Sequence, residues 1–259
     1  MNGRVAIVTG SSRGIGKAVA LGLTKENAKV TICARNEKNL KETEQEIERT
    51  TGSEVLGLRA DLGKPSDVKT LIRETLKTFG RIDILINNTG GPRSTRFLDT
   101  SEEDWRNTFN QLFMSVIVAC HEVAPYMREK RWGRIINMNS IASKQPVENL
   151  VLSNSLRAGI TALTKTLSNE FAEDNILVNG VCPGYTITER VQELAQAESQ
   201  QTGKKIDEIL ENYAKTIPLK RMANPNEIAD LVVFLASERA SYITGATYQV
   251  DGGWIRSTM

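Results

Sequence analysis

The chain has 259 residues, 40% of them hydrophobic and 25% charged, with 33 Lys+Arg set against 31 Asp+Glu for a net charge of +2. That length can bury one sizeable core, and the composition excludes a disordered chain, a collagen or a disulfide scaffold. A charge this near balance recruits no nucleic acid or acidic membrane, and no apolar run approaches the ~18 residues a membrane span needs. Cys33, Cys120 and Cys182 lie far apart without a CxxC pair and His121 is the one histidine, so no zinc site is expected. With no signal-peptide pattern at its start, the chain reads as cytoplasmic, a single domain over residues 1–259.

Short β-branched runs alternate with longer helical patterns. Residues 4–9 read as a strand, 14–25 as a helix, 29–33 as a second strand and 37–49 as a charged helix. Residues 55–59 are a third strand. Pro65, whose missing N–H suits a helix start, opens a helix to Phe79, and 82–86 is a fourth strand. Ser101 to Glu103 look like the cap of a helix that runs, whole or broken, to Glu129. A fifth strand covers 134–138, a helix 152–172 and a sixth strand 176–181; Asn224-Pro225 opens a helix to about Ser237, and 247–250 is the seventh strand. Strands separated by helices need crossover connections, hence a parallel sheet covered on both faces. The polar stretch 189–215 stands outside this alternation and reads as a helical lid, with Ile206, Ile209, Leu210 and Tyr213 on one face.

The first strand meets the first helix through Thr9-Gly10-Ser11-Ser12-Arg13-Gly14-Ile15-Gly16. Helix N-termini bind phosphate through free backbone N–H groups, with glycine wherever a Cβ would collide. The spacing is GxxxGxG rather than GxGxxG, and its position between strand and helix is what points to a dinucleotide. The second strand ends in Ala34-Arg35-Asn36, with no carboxylate until Glu37. A carboxylate there would hold a ribose 2′-hydroxyl; Arg35 and Arg13 suit a 2′-phosphate instead, which selects NADP(H) over NAD(H).

Further motifs are Asp61-Leu62 after the third strand, NNTG at 87–90, GRIINMNS at 133–140, VNGVCPGYTIT at 178–188 and VDGG at 250–253. Through them and TGSSRGIG at 9–16, the chain from Arg4 to Gly253 resembles the short-chain dehydrogenases/reductases, nearest in pattern to the 3-oxoacyl-[acyl-carrier-protein] reductases. The resemblance implies a doubly wound α/β Rossmann fold: a seven-stranded parallel sheet in the order 3-2-1-4-5-6-7, with the cleft at the strands' carboxyl ends. It implies a cofactor held by Gly10, Ser12, Arg13, Gly14, Ile15, Gly16 and Arg35, with Asp61 and Leu62 flanking the adenine and Asn88 lining the ribose region. Pro183, Gly184, Thr186 and Thr188 would cover the nicotinamide, and Thr89 stands where the family usually has Ala. A homotetramer packed through the helices at 104–129 and 152–172 and the C-terminal region is implied as well.

The family's catalytic groups are Asn, Ser, Tyr and Lys, and here the pattern departs. Ser140 matches the serine, but thirteen residues on stands Ser153, and four further on Arg157. Where the asparagine is expected, seven residues after Trp105, stands Leu112; Asn110 would lie ~200° away around a regular helix. Tyr126 to Lys130 spells Tyr-x-x-x-Lys, but before the fifth strand and so in the wrong element. Ser153 and Arg157 share a helix face, where they can bind a ribose hydroxyl or hold a developing alkoxide electrostatically. They do not reproduce a tyrosine of pKa ~10 tuned as an acid.

Lys144, Glu148 and Tyr185 are alternative proton donors near the cleft, and Arg93 and Arg96 are candidates to hold an anionic substrate at its mouth. His121 reads as a packed or paired core histidine. The expected activity is an NADP(H)-dependent oxidoreductase for a small-molecule carbonyl/alcohol pair, with Ser140, Ser153 and Arg157 at its centre and no metal. Two alternatives stand beside it: an NADP-binding partner of another reductase, and a non-redox enzyme on the same scaffold.

Overall fold

A computed structural model describes residues 1–258. Its seven strands are β1 (Val5–Val8), β2 (Lys29–Ala34), β3 (Val55–Arg59), β4 (Ile84–Asn87), β5 (Gly133–Met138), β6 (Ile176–Pro183) and β7 (Thr247–Val250). They form one parallel sheet in the order β3-β2-β1-β4-β5-β6-β7. β1, β4 and β5 are buried along their whole length, as the continuous apolar runs AIV, ILI and RIIN require of strands covered on both faces. Each such Ile or Val contributes about 1.5–3 kcal/mol by leaving water.

One face is covered by α1 (Gly14–Lys25), α2 (Glu37–Thr51) and α9 (Pro225–Leu235), packed as Val19, Leu23, Leu40, Ile47, Ile228 and Val232 on the strands. The other carries α3 (Pro65–Phe79), α5 (Ser115–Lys130) and α6 (Val151–Glu170), packed through Leu71, Ile72, Val123, Met127 and Ile160. α4 (Glu102–Thr108) precedes α5. Pro65 sits in the first turn of α3, and Ser101 caps α4 in a reciprocal box with Asp104.

Two expectations are corrected and one left open is decided. β4 begins at Ile84 rather than Ile82 because the buried Asp83 is a staple: it accepts the Val5 N–H at 2.9 Å and pairs with Arg4 and Arg81. The helix that reaches Glu129 is the broken one of the two forms the sequence allows, with a π-turn at Phe109–Met114. That extra residue per turn breaks the regular-helix angle between Asn110, which is exposed, and Leu112, which is buried. His121 is not in the core; it lies on the exposed side of α5 in this chain.

Two helices, α7 (Glu189–Thr202) and α8 (Ile206–Thr216), fill the stretch between β6 and α9. They pack on each other, with Ile209 buried and the Tyr213 hydroxyl donating to Glu198 Oε2 at 2.7 Å. Among the described residues, no helix is long and apolar enough to cross a membrane.

Candidate active site

The turn after β1 needs its glycines. Gly10 and Gly14 both have φ +56°, a left-handed conformation that costs other residues energy. A Cβ at Gly10 would stand 2.8 Å from the Asn88 carbonyl oxygen, and one at Gly16 would stand 2.5 Å from the Gly10 carbonyl oxygen. Asn88 braces the turn: its Nδ2 donates to the Thr9 and Gly10 carbonyls, and its backbone N–H to Thr9 Oγ1. Ser11 ties β1 to β2 by donating to the Val8 carbonyl and accepting from the Cys33 N–H. The result is a narrow bay opening on the N-terminus of α1, whose first N–H groups have no helical partner.

Beside this bay a recess of about 320 Å³ collects Gly10, Ser12, Arg13, Arg35, Asp61 and Leu62. Asp61 Oδ1 accepts the Gly63 N–H, which fixes the loop after β3. Arg13 pairs with Glu193 of α7 at 3.2 Å; Arg35 makes no side-chain ion pair. Two guanidinium groups therefore face a recess with Asp61 as its only carboxylate.

The recess continues into a cleft of about 740 Å³ at the carboxyl ends of the strands. Ser140, directly after β5, accepts the Ala142 N–H on its Oγ at 3.1 Å, which leaves the hydroxyl hydrogen free to donate. Ser153 and Arg157 come from the first two turns of α6, and all three line the cleft. Arg157 is only 6% exposed; its Nη1 donates to the carbonyls of Met138 and Asn139 at 3.2 and 3.1 Å. Burial pushes the guanidinium down to about 10, with Cys182 and Arg190 as the charges that reach it. Asn139 Nδ2 binds the Arg157 carbonyl and Thr161 Oγ1, so the end of β5 and α6 are locked together under these side chains.

Pro183, Gly184, Thr186 and Thr188 form the opposite wall. A Cβ on Gly184 would meet Asp251 Cα at 2.8 Å. Thr186 and Thr188 donate to the Gly184 and Thr186 carbonyls, a run of short turns that holds the loop over the cleft. Gly14, Ile15, Gly16, Asn88 and Thr89 line the same space. Every residue expected at the site is thus gathered along one continuous groove.

Several other expectations fail. Arg93 is bound to Asp104 through two bonds, 3.1 and 2.8 Å, and Arg96, whose Nε donates to Asn149 Oδ1 at 3.0 Å, does not line the cleft. Lys144 does not reach the cleft wall. The Tyr126–Lys130 pair lies at the end of α5, outside the cleft, in keeping with its place before the fifth strand. Glu148 and Tyr185 do line it. Tyr185 is stacked on Tyr213 at 4.5 Å, and burial followed by the Glu198 charge raises its pKa, which makes it a poorer acid. Of the four apolar positions on α8, Tyr213 alone lines the cleft. Among the described residues, no group of three or more His, Cys, Asp or Glu could hold a metal ion.

Arg190 was not foreseen. It lies two residues past Thr188 on α7, donates to the Pro92 carbonyl across the cleft and stands 3.5 Å from Glu193. Nothing in its charged, helical surroundings marks it out in the sequence, because its partner is 98 residues away.

The family model described as Enoyl-(Acyl carrier protein) reductase matches residues 10–255. The chain is 33% identical to the 3-oxoacyl-[acyl-carrier-protein] reductase FabG of Staphylococcus epidermidis, over 96% of this chain and 97% of that one. L-sorbose reductase from Gluconobacter frateurii, solved with NADPH and L-sorbose, superposes with a TM-score of 0.94 at 33% identity, covering 99% of this chain and 98% of that one. YwfH, an NADPH-dependent reductase involved in bacilysin biosynthesis, superposes with a TM-score of 0.91 at 33% identity, covering 98% and 99%.

Proposed function

Because the chain belongs to the short-chain dehydrogenase/reductase family, we propose that it is an NADP(H)-dependent oxidoreductase, similar to the 3-oxoacyl-[acyl-carrier-protein] reductases. It interconverts a small-molecule carbonyl and its alcohol through an altered proton relay. The observation that carries this reading is the glycine turn at the α1 N-terminus: a Cβ at Gly10 or Gly16 would collide with the Asn88 or Gly10 carbonyl oxygen that shapes it. NADP(H), when bound, supplies or accepts the hydride.

The residues fit that cofactor along the groove. Backbone N–H groups at Gly14, Ile15 and Gly16 suit its pyrophosphate, and Ser12, Arg13 and Arg35 suit the 2′-phosphate. Asp61 and Leu62 take the adenine, Asn88 braces the ribose region, and the Pro183–Thr188 wall covers the nicotinamide end. NADPH in the solved L-sorbose reductase, and the NADPH dependence of YwfH, support the choice.

At the reacting end, Ser140 donates to the carbonyl oxygen and Ser153 makes the second hydrogen bond. Arg157 supplies a fixed positive charge as that oxygen gains negative character. Neither serine is acidic enough to replace a tuned tyrosine, so the oxygen anion held by Ser140, Ser153 and Arg157 takes its proton from the acid form of the solvent buffer, which is left as its conjugate base. The missing Tyr, Lys and Asn groups cost rate; losing a positioned general acid typically lowers it by ~10²–10⁴. α7 and α8 act as the lid, and the chain works as a cytoplasmic homotetramer packed through α5 and α6.

The test follows NADPH absorbance against ketones, aldehydes and a β-ketoacyl thioester. Substrate-dependent oxidation is expected, and Ser140→Ala lowers turnover about tenfold or more with NADPH affinity unchanged. NADPH that binds but is consumed with no substrate overturns the redox reading and favours an NADP-binding partner subunit.

A further inference from the structure

Arg157 is a buried cation without an anion. Its Nη1 is spent on two backbone carbonyls, while Nε and Nη2 find no acceptor in the protein. The side chain nevertheless lines the cleft, beside Ser140 and Ser153. Among the described residues no carboxylate pairs with it, and one of the charges that reach it is a second cation, Arg190. A buried charge is costly unless it is paired, and a like charge nearby adds to that cost. Arg190 is itself half-withdrawn from solvent and reaches over the same cleft, with Glu193 only at 3.5 Å.

Of the other arginines that line the cleft, Arg93 is held by Asp104 and Arg13 by Glu193, while Arg35, without an ion pair, stands at the recess end. Apart from Arg35, the uncompensated charge lies at the reacting end, on α6 and the start of α7. It lies away from the β1–α1 turn and the Arg35 recess that suit the cofactor's phosphates, since Arg157 is anchored to the last residue of β5 and its neighbour. The free Nε–Nη2 edge of a guanidinium presents two parallel N–H donors, the geometry that a planar carboxylate accepts bidentately.

We propose that the substrate is itself an acid: a carbonyl compound, or its alcohol, with a carboxylate close to the reacting carbon, held by the free edge of Arg157 with Arg190 as the second cation. This rests on the oxidoreductase reading and narrows it. Arg157 then selects the substrate as well as stabilising the oxygen anion, and ketones or thioesters that are neutral at the reacting end are poor substrates.

The test is calorimetric titration of the full chain, saturated with NADP⁺, with oxamate and with its neutral counterpart oxamide. Oxamate is expected to bind about tenfold or more tightly than oxamide, since a hydrogen-bonded charge pair is at stake. Arg157→Gln removes that preference and leaves NADP⁺ affinity within about threefold, while Arg157→Lys keeps part of it. Arg190→Gln, at a partly exposed position on α7, weakens oxamate about threefold to tenfold. Equal binding of the two probes, binding of neither by a protein that holds NADP⁺, or a preference that survives Arg157→Gln overturns the proposal. So does a fall in NADP⁺ affinity of about tenfold or more in Arg157→Gln, which would assign the guanidinium to a cofactor phosphate. Turnover separates the two readings. NADPH oxidation by methyl pyruvate as fast as by pyruvate ends the acid reading alone. Selective oxamate binding with no NADPH oxidation by any carbonyl ends the redox reading alone.

Discussion

Gly16 lies so close to Gly10 that a Cβ on it would stand 2.5 Å from the Gly10 carbonyl oxygen and 2.7 Å from Asn88 Nδ2. Neither neighbour can move aside, because Asn88 is tied to the Thr9 and Gly10 carbonyls and the Gly10 carbonyl belongs to the turn itself. Overpacking of this kind costs about 1–3 kcal/mol, which in a chain of this size corresponds to roughly 2–12 °C in Tm. Gly16→Ala is therefore expected to melt early and to lose NADPH affinity about tenfold or more, because the displaced backbone is the one proposed to cradle the phosphates. Thermal unfolding with and without NADPH measures both. An unchanged affinity would place the cofactor elsewhere.

Arg35 stands at the end of β2 with no side-chain ion pair, facing the recess that also holds Arg13. A guanidinium on a 2′-phosphate is a charge-assisted contact, worth about 1.5–3 kcal/mol, or roughly 10- to 100-fold in affinity. Arg35→Asp should lose that much NADPH affinity and bring NADH to parity or better. Fluorescence titration of the two cofactors gives the ratio directly, and wild-type preference for NADH would contradict the assignment.

The sheet is legible in the sequence because buried parallel strands are continuous apolar runs, and the intervening helices announce themselves by cap and period. The Gly-rich turn is legible by its place between strand and helix, and Ser140, Ser153 and Arg157 are singled out by the resemblance to the family's catalytic pattern. What is not legible depends on tertiary partners. Arg93 looks free until Asp104, in the capping box of α4, is seen to hold it. The π-turn at Phe109–Met114 leaves no periodic mark strong enough to distinguish it from a regular helix. His121 falls on the outer side of α5, which no count along the chain reveals. Arg190 matters through a carbonyl on a different loop.

The N-terminus of α9 carries an ionic clasp with a definite pH signature. Glu227 accepts from Arg221 at 2.7 and 2.6 Å and from the Asn224 N–H at 2.8 Å, and first the Arg221 guanidinium, then that N–H, holds its carboxyl down to about 2. The folded value lies below the ordinary 4.5, so the clasp's contribution is complete above that pH and is lost as pH falls toward about 2. Glu227→Gln should lower the urea midpoint at neutral pH, with the gap from wild type closing through the acid range. A gap that is constant down to pH ~2.5 would mean that the charge on Glu227 contributes nothing.

Arg157 sets a pH profile that a tyrosine-based relay would not. Burial lowers its guanidinium to about 10, so it stays charged through neutrality and loses its proton only in strong base. Tyr185 and Cys182 are shifted the other way, upward, chiefly by burial, and Ser140 and Ser153 do not titrate. No group at the reacting end therefore changes charge between about pH 6 and 9. For a substrate whose own ionisation is constant, kcat/KM is expected to be flat over that range and to fall as pH rises through about 10. A lysine in the same buried place starts from a lower value, ~10.4, and burial moves it down further. Arg157→Lys should accordingly shift the falling limb to lower pH, while Tyr185→Phe leaves it in place. A limb that follows Tyr185 instead would make that hydroxyl the proton donor and reduce Arg157 to a bystander.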